Sequence, residues 1–369
     1  MRENGVKKTI IQIATLATLM VVTYYLLMRD KDIHSVFQVM ANSSKIWLII
    51  AIICMTVYIF CGGWAIRVLM KGRGKNITIW QCFKYSFIEF YFSALTPSSS
   101  GGQPAQLYYM SKDGYSTSDG TVVLVAITAL YKFSFLVITA VLFILNLEFM
   151  SGPISSTWIL VVIGLVLNLG LIALLLLCLF STKIIRFIIS KGTLLLGKLY
   201  LIKDVEQKKK EVENKVAEYH QCATFFASHK GLVLKTFLVL TLQRLMLLIV
   251  PYLVYKSFGL QGCTLLQILA TQCLLNLCVD MLPVPGAVGI SETVFLMLFT
   301  PIFGQGNITT AVLLSRGISF YILVVVAGVV VMGCQFANIV KSNKRSKENV
   351  VAGQSEEEGE KKEIGKQEI

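Results

Sequence analysis

The stretch Asn276-Leu-Cys-Val-Asp280-Met-Leu-Pro283-Val-Pro285-Gly286-Ala-Val-Gly289-Ile-Ser291-Glu292-Thr-Val-Phe-Leu-Met-Leu-Phe299 lays two apolar runs end to end and interrupts them with prolines and glycines. The runs extend over 264–282 and 289–303. Far upstream, Ala94-Leu-Thr96-Pro97-Ser-Ser-Ser-Gly101-Gly102-Gln103-Pro104-Ala-Gln106-Leu-Tyr-Tyr-Met110 does the same between apolar runs 80–96 and 104–117. In each copy a polar side chain stands nine residues after the first proline, Gln106 after Pro97 and Glu292 after Pro283. A basic residue follows each break at a similar distance, Lys132 after the first and Arg316 after the second. The pattern reads as a duplicated unit.

The composition sets the class. Hydrophobic residues are 55% of 369, charged residues 15%, and the mean hydropathy is +0.69. Apolar runs of about 20 residues, the length that crosses ~30 Å of hydrocarbon as helix, recur along the chain. Full spans are expected at 9–28, 46–70, 119–147, 158–181, 232–255 and 308–335. The ~10-residue alternating segments of a membrane barrel are absent. The expected fold is therefore an all-α polytopic membrane protein with six full spans and two re-entrant helical hairpins, 80–117 and 264–303, or roughly seven or eight transmembrane helices if the limbs are counted.

The net charge of +13 lies beside the apolar runs, so membrane topology explains it better than nucleic-acid binding. Nine cysteines without a CxxC pair read as small buried hydrophobes, and the three histidines as surface residues; no metal site and no cofactor are expected.

Orientation follows from lysine and arginine. Arg2, Lys7 and Lys8, then Lys71, Arg73 and Lys75, the run from Lys183 to Lys230, and Lys341 to Lys347 all belong in the cytoplasm, with both termini. The connections 148–157 and 304–307 carry no lysine or arginine, and 256–262 carries only Lys256, as outside loops should. Counting crossings then forces hairpin 80–117 to enter and leave from the cytoplasmic face and hairpin 264–303 from the outer face. Domain 1–340 divides into a first half (9–181), interfacial and cytosolic helices (183–230) and a second half (232–335), followed by a disordered hydrophilic tail (341–369).

Inverted hairpins with broken helices are the pointer to a midplane site in transporters. Backbone freed at a break is tolerated only against protein or a water-filled cavity, because each unpaired group costs several kcal/mol in lipid. The second limbs would start with bare N–H groups, capped by Ser100 or Gln103 in one and Ser291 in the other. Three acids, Glu89, Asp280 and Glu292, and three bases, Lys132, Arg244 and Arg316, fall inside apolar segments. A charge there costs at least ~2.5–3.5 kcal/mol, so such residues pair for structure or line a functional path. Here they are candidates for the path of a charged lipid headgroup, with the hairpin breaks Pro97, Gly101, Gly102, Gln103, Gln106, Pro283, Pro285, Gly286 and Gly289 around them. The bases and the helix amino ends suit phosphate and the acids suit an amine, so counting leaves the sign open; a zwitterionic or aminoacylated phospholipid would use both sets. No residue is expected to be catalytic: GxSxG, HExxH, Walker and dinucleotide motifs are all missing.

At the breaks, Thr96-Pro97 through Gly101-Gly102-Gln103-Pro104-Ala-Gln106-Leu-Tyr-Tyr-Met110, and Leu282-Pro283-Val-Pro285-Gly286-Ala-Val-Gly289-Ile-Ser291-Glu292 followed by Arg316, the chain resembles the flippase-like membrane family. This is the transmembrane region of lysylphosphatidylglycerol synthase, with its stand-alone relatives. The resemblance covers roughly residues 9–340. It implies a multi-pass protein of the cell membrane that moves lipid between leaflets, lysylphosphatidylglycerol in the best-known member, where it confers resistance to antimicrobial peptides. The first break departs from the family pattern in carrying Gln103 and Gln106 where an acid and a base are common. The full-length synthase also carries a soluble transferase domain. Only about thirty hydrophilic residues follow position 340, too few for a catalytic core, so a phosphatidylglycerol lysyltransferase label would come from the family name alone. The alternative is a membrane subunit that presents lipid to a separate lipid-modifying enzyme.

Overall fold

The computed structural model describes Thr18 and residues 33–180, 221–280 and 282–335. The expected span 9–28, most of the excursion 183–230 and the tail 341–369 lie outside the described residues. Among the described residues all regular structure is helical: α1 Ile33–Asn42, α2 Lys45–Gly72, α3 Ile79–Leu95, α4 Gly102–Lys112, α5 Thr117–Leu145, α6 Leu147–Phe180, α7 Lys230–Leu248, α8 Val250–Ser257, α9 Leu265–Val279, α10 Ile290–Phe303 and α11 Ile308–Arg316. A short helix over 221–228 precedes α7, and α11 continues through a π-turn, Gly317–Tyr321, to Gln335. The protein is an all-α polytopic membrane protein, with six helices among the described residues long and apolar enough to cross a bilayer.

Five of the expected full spans appear as α2, α5, α6, the α7–α8 pair bent at Pro251, and α11 with its continuation. The sixth long apolar segment is Pro285–Phe303, which the sequence assigned to a hairpin limb. Its regular helix, α10, has only 14 residues, about 21 Å at 1.5 Å per residue, short of the ~30 Å hydrocarbon core. The partner limb α9 has 15 residues. The expected loop 148–157 is helical instead. Met150 is fully buried in the core and holds the start of α6 in place, while Glu148 sits favourably in its first turn.

The two hairpins enter from opposite ends of the molecule. One core cluster gathers the end of α2 (Met70), the start of α5 (Val122, Val123), the 221–228 helix (Cys222, Phe226) and the far end of the last helix (Val331). The base of the first hairpin belongs to this end: Tyr115 donates to the Asn76 carbonyl at 2.7 Å, and Arg73 reaches Asp119 at 3.0 Å. The other cluster gathers the later part of α5 (Phe135, Leu142), Tyr255, Phe303 and the start of α11 (Ile308). There the Cys263 N–H donates to Tyr255 Oη at 3.2 Å, and Phe258 packs edge-on to Phe303. Helix α5 thus runs from the base of one hairpin to the base of the other.

Sequence explains how each hairpin begins and breaks. Thr78 and Gln81 form a capping box at α3, and Thr264 and Gln267 form another at α9. A proline then opens a single 3₁₀ turn in each break, Pro97–Ser99 and Pro285–Ala287. Non-glycine residues take left-handed φ in both turns, Ser98 at 51°, Ser99 at 55° and Ala287 at 51°, beside Gly286 at 58°. Such residues cost of order 1 kcal/mol or more each and persist where the surroundings dictate them. Between spans, Gly63 lets α2 approach α3 closely: a Cβ there would sit 2.8 Å from the Cys82 carbonyl oxygen.

The repeat is offset from its sequence reading by two residues. Thr264 follows Thr78 by 186 positions, as Pro283 follows Pro97, but the turn proline of the second break is Pro285, 188 after Pro97. The second limbs start five residues beyond these turn prolines, at Gly102 and Ile290. Glu292 therefore corresponds to Pro104 in the fold, and Gln106 has no structural counterpart in Glu292.

Candidate functional site

The two breaks pack against one another at the centre of the bundle. Around their contact is a cavity of about 600 Å³, walled by both 3₁₀ turns and by residues of α2 to α11. Of the six ionisable residues singled out by sequence, Glu89, Lys132, Arg244, Asp280 and Arg316 line it, as do Gln103, Gln106 and Gly286. Glu292 is not on the wall; its side chain is 1% exposed, behind Arg316.

Asp280 is the meeting point of the halves. It closes the carboxyl end of α9, and its Oδ2 accepts from Arg244 Nη2 of α7 at 2.9 Å and from Lys132 Nζ of α5 at 3.4 Å. Arg244 is 3% exposed and its planar guanidinium lies 4.1 Å from the Phe135 ring centroid, so it is fixed on both sides. Its Nη1 donates to Tyr131 Oη at 2.9 Å, and Tyr58 of α2 lies on the same wall. Two cations on one carboxylate leave this cluster with an excess positive charge. Lys132, with three donors of which one is engaged, is the more exposed cation of the two.

Glu292 and Arg316 have a different role. Arg316 Nε donates to Glu292 Oε1 at 2.8 Å and Arg316 Nη2 donates to the Gly286 carbonyl at 2.9 Å. Tyr321 Oη also donates to Glu292 Oε1, and Glu292 Oε2 accepts the Gly289 N–H at 2.7 Å. Between them the pair satisfies one freed carbonyl and one freed N–H of the second break, the groups that lipid cannot satisfy. Glu292, rather than the expected Ser291, is the side chain that covers the amino end of α10; Gly289 is the N-cap residue. The pair braces the second break against α11.

The first break is braced by hydroxyls and amides. Thr96 Oγ1 donates to the Phe92 carbonyl at 2.7 Å and accepts the Gly101 N–H at 2.8 Å; Ser100 Oγ turns back to the Pro97 carbonyl. Gly101 is the N-cap of α4, with neither Ser100 nor Gln103 capping it. Gln103 donates instead to Thr128 Oγ1 at 2.7 Å, and Gln106 to the Tyr85 carbonyl at 3.1 Å. No ion pair is needed here, and Glu89 is left without a cation within bridging distance among the described residues; its hydrogen-bond donor is Ser93 Oγ at 3.0 Å. Lys84 pairs with Asp113 and ties α3 to the end of α4.

Sequence reading missed Tyr58, Tyr131, Gln243, Gln272 and Asn276, all on the cavity wall. The signal for some was present. Gln272, Asn276 and Asp280 recur every fourth residue on one face of α9, and Ser86, Glu89 and Ser93 recur at helical spacing on α3, two polar stripes on apolar helices. Tyr58 and Tyr131 gave none, since tyrosines in apolar runs read equally well as packing.

No curated protein matches the chain. Residues 10–327 match the family described as the lysylphosphatidylglycerol synthase TM region.

Proposed function

This chain belongs to the lysylphosphatidylglycerol synthase transmembrane-region family, and on that premise we propose that it moves a phospholipid with a charged headgroup between the leaflets of the cell membrane. The observation that carries the reading is the central cavity: about 600 Å³, with Glu89, Lys132, Arg244, Asp280 and Arg316 set in an otherwise largely apolar wall, and built where two short hairpins inserted from opposite ends touch. That volume is in the ~300–1,000 Å³ range of small-ligand sites, and its charges are unevenly paired, as a site awaiting a charged group would be. The basic end that carries Arg73, Lys75, Lys84 and Lys112 is assigned to the cytoplasm with both termini. The family description makes lysylphosphatidylglycerol the first lipid to test. The tip contact then divides two half-paths, and movement of one hairpin against the other would pass the headgroup across while the acyl chains stay in the bilayer.

The test is translocation of fluorescent phospholipids by the purified protein in liposomes, followed by chemical quenching of the outer leaflet. Lys132→Gln is the informative variant, because Asp280 keeps Arg244 as its partner and only the excess positive charge is removed. The wild type should accelerate exchange over protein-free vesicles, and Lys132→Gln should slow it about tenfold, the worth of one lost charge-assisted contact. Rates equal to those of empty liposomes for every lipid would overturn the reading.

A further inference from the structure

The pairing pattern decides what counting charges left open. Each acid and base on the cavity wall has a distinct state. Arg316 is neutralised by Glu292 and bonded to the Gly286 carbonyl, so this pair offers no net charge. Asp280 is shared by Lys132 and Arg244, so that cluster has one unneutralised positive charge. Glu89 faces the same cavity with no cation within bridging distance among the described residues, so it is the one acid on this wall without a basic partner there. Tyr131, whose hydroxyl accepts from Arg244, and Tyr58 line the same wall as Glu89. The start of α4 lies against Glu89: a Cβ on Gly102 would sit 2.8 Å from the Glu89 carbonyl oxygen and 3.2 Å from its Cγ. A helix amino end supplies only about half a positive charge, so Glu89 stays under-compensated there.

We infer that the cavity is matched to a dipolar headgroup carrying one phosphate and one amine, with the phosphate against Lys132 and Arg244 and the ammonium against Glu89. The inference rests on the transport reading above and narrows it. One unmatched acid provides for one ammonium. A phosphoethanolamine-type headgroup satisfies both ends at once and leaves no charge unpaired in a low-dielectric site. An anionic headgroup without an amine leaves Glu89 unpaired and facing a negative ligand. A lysyl-bearing headgroup, with two ammonium groups, leaves one of them without an acid among the described residues. Ser93, which donates to Glu89 Oε1, is placed to orient the carboxylate. The three donors on ammonium can take Glu89 and hydroxyls of the same wall together.

The test reads preference in addition to rate. Phosphatidylethanolamine, phosphatidylglycerol and lysylphosphatidylglycerol, each labelled on an acyl chain so that the headgroup stays native, are compared in the liposome assay. The wild type should move phosphatidylethanolamine about tenfold faster than phosphatidylglycerol and faster than the lysyl lipid. Glu89→Gln should collapse the ethanolamine-to-glycerol ratio by about the same factor, and Glu89→Asp should restore it, a rescue that a packing role for the side chain would not produce. Thermal melting of each variant in detergent confirms folding. Equal rates for all three lipids in the wild type, or a ratio unmoved by Glu89→Gln, would overturn the inference while leaving the transport reading standing. Acceleration of none of the lipids would overturn both.

Discussion

At the scale of single residues, the account turns on Asp280, which bonds two cations through one oxygen. Removing its charge leaves Lys132 and Arg244 side by side, buried and repelling, with no counterion. Breaking a buried pair in this way costs about 3–5 kcal/mol, far more than the pair itself contributes, because the desolvated charge remains. Asp280→Asn should therefore lower stability in detergent by that amount, read as a loss of melting temperature. Adding Lys132→Gln to it should recover a clear part of the loss, since the repulsion is what the second change relieves. Equal melting of Asp280→Asn and wild type would contradict the geometry. The sequence named all six ionisable residues, because charges in apolar helices stand out. It gave no partners: Lys132 and Asp280 are 148 positions apart, and their meeting depends on how the hairpins dock.

At the scale of elements, the decisive features are the two 3₁₀ turns and their left-handed residues. Gly286 has φ +58°, and an added Cβ would overlap the Phe320 ring, itself stacked under Arg316 at 4.5 Å. Gly286→Ala should cost about 1–3 kcal/mol, through backbone strain and displacement of the ring that supports the Arg316 brace. Gly170→Ala, on α6 with open space around it, should be neutral or stabilising by up to about 1 kcal/mol in the same melting experiment. Similar effects at the two sites would argue against a strained second break. Prolines and glycines made both breaks legible, because few other residues end an apolar helix. The two-residue offset was not legible, since Pro283 and Pro285 are equal candidates until a fold shows which one opens the turn. The matching Thr78–Gln81 and Thr264–Gln267 boxes were in plain sight and mark the start of each unit more securely than the prolines do. The helical start of α6 escaped notice because 148–157 lacks lysine and arginine, which marks a side of the membrane but says nothing about local structure.

At the scale of the whole molecule, the inverted entry of the hairpins was anticipated by counting crossings between basic segments, and the core clusters bear it out independently: the bases of the two hairpins lie at opposite ends of α5. The relative entry of the two hairpins was legible because it depends on long-range charge bias and parity, both carried by the sequence itself. The cavity was not, because its walls come from many separate elements, α2 to α11 and both 3₁₀ turns, whose approach is set by packing, such as the contact of Gly63 with Cys82. The central claim is that headgroups pass through this cavity. It is tested most directly by placing a single cysteine at Ser100, an exposed residue of the first break on the cavity wall, in an otherwise cysteine-free protein, and treating liposomes that hold it with a small charged thiol reagent. Modification should proceed from water and stop lipid translocation; complete modification with translocation unchanged would contradict the account.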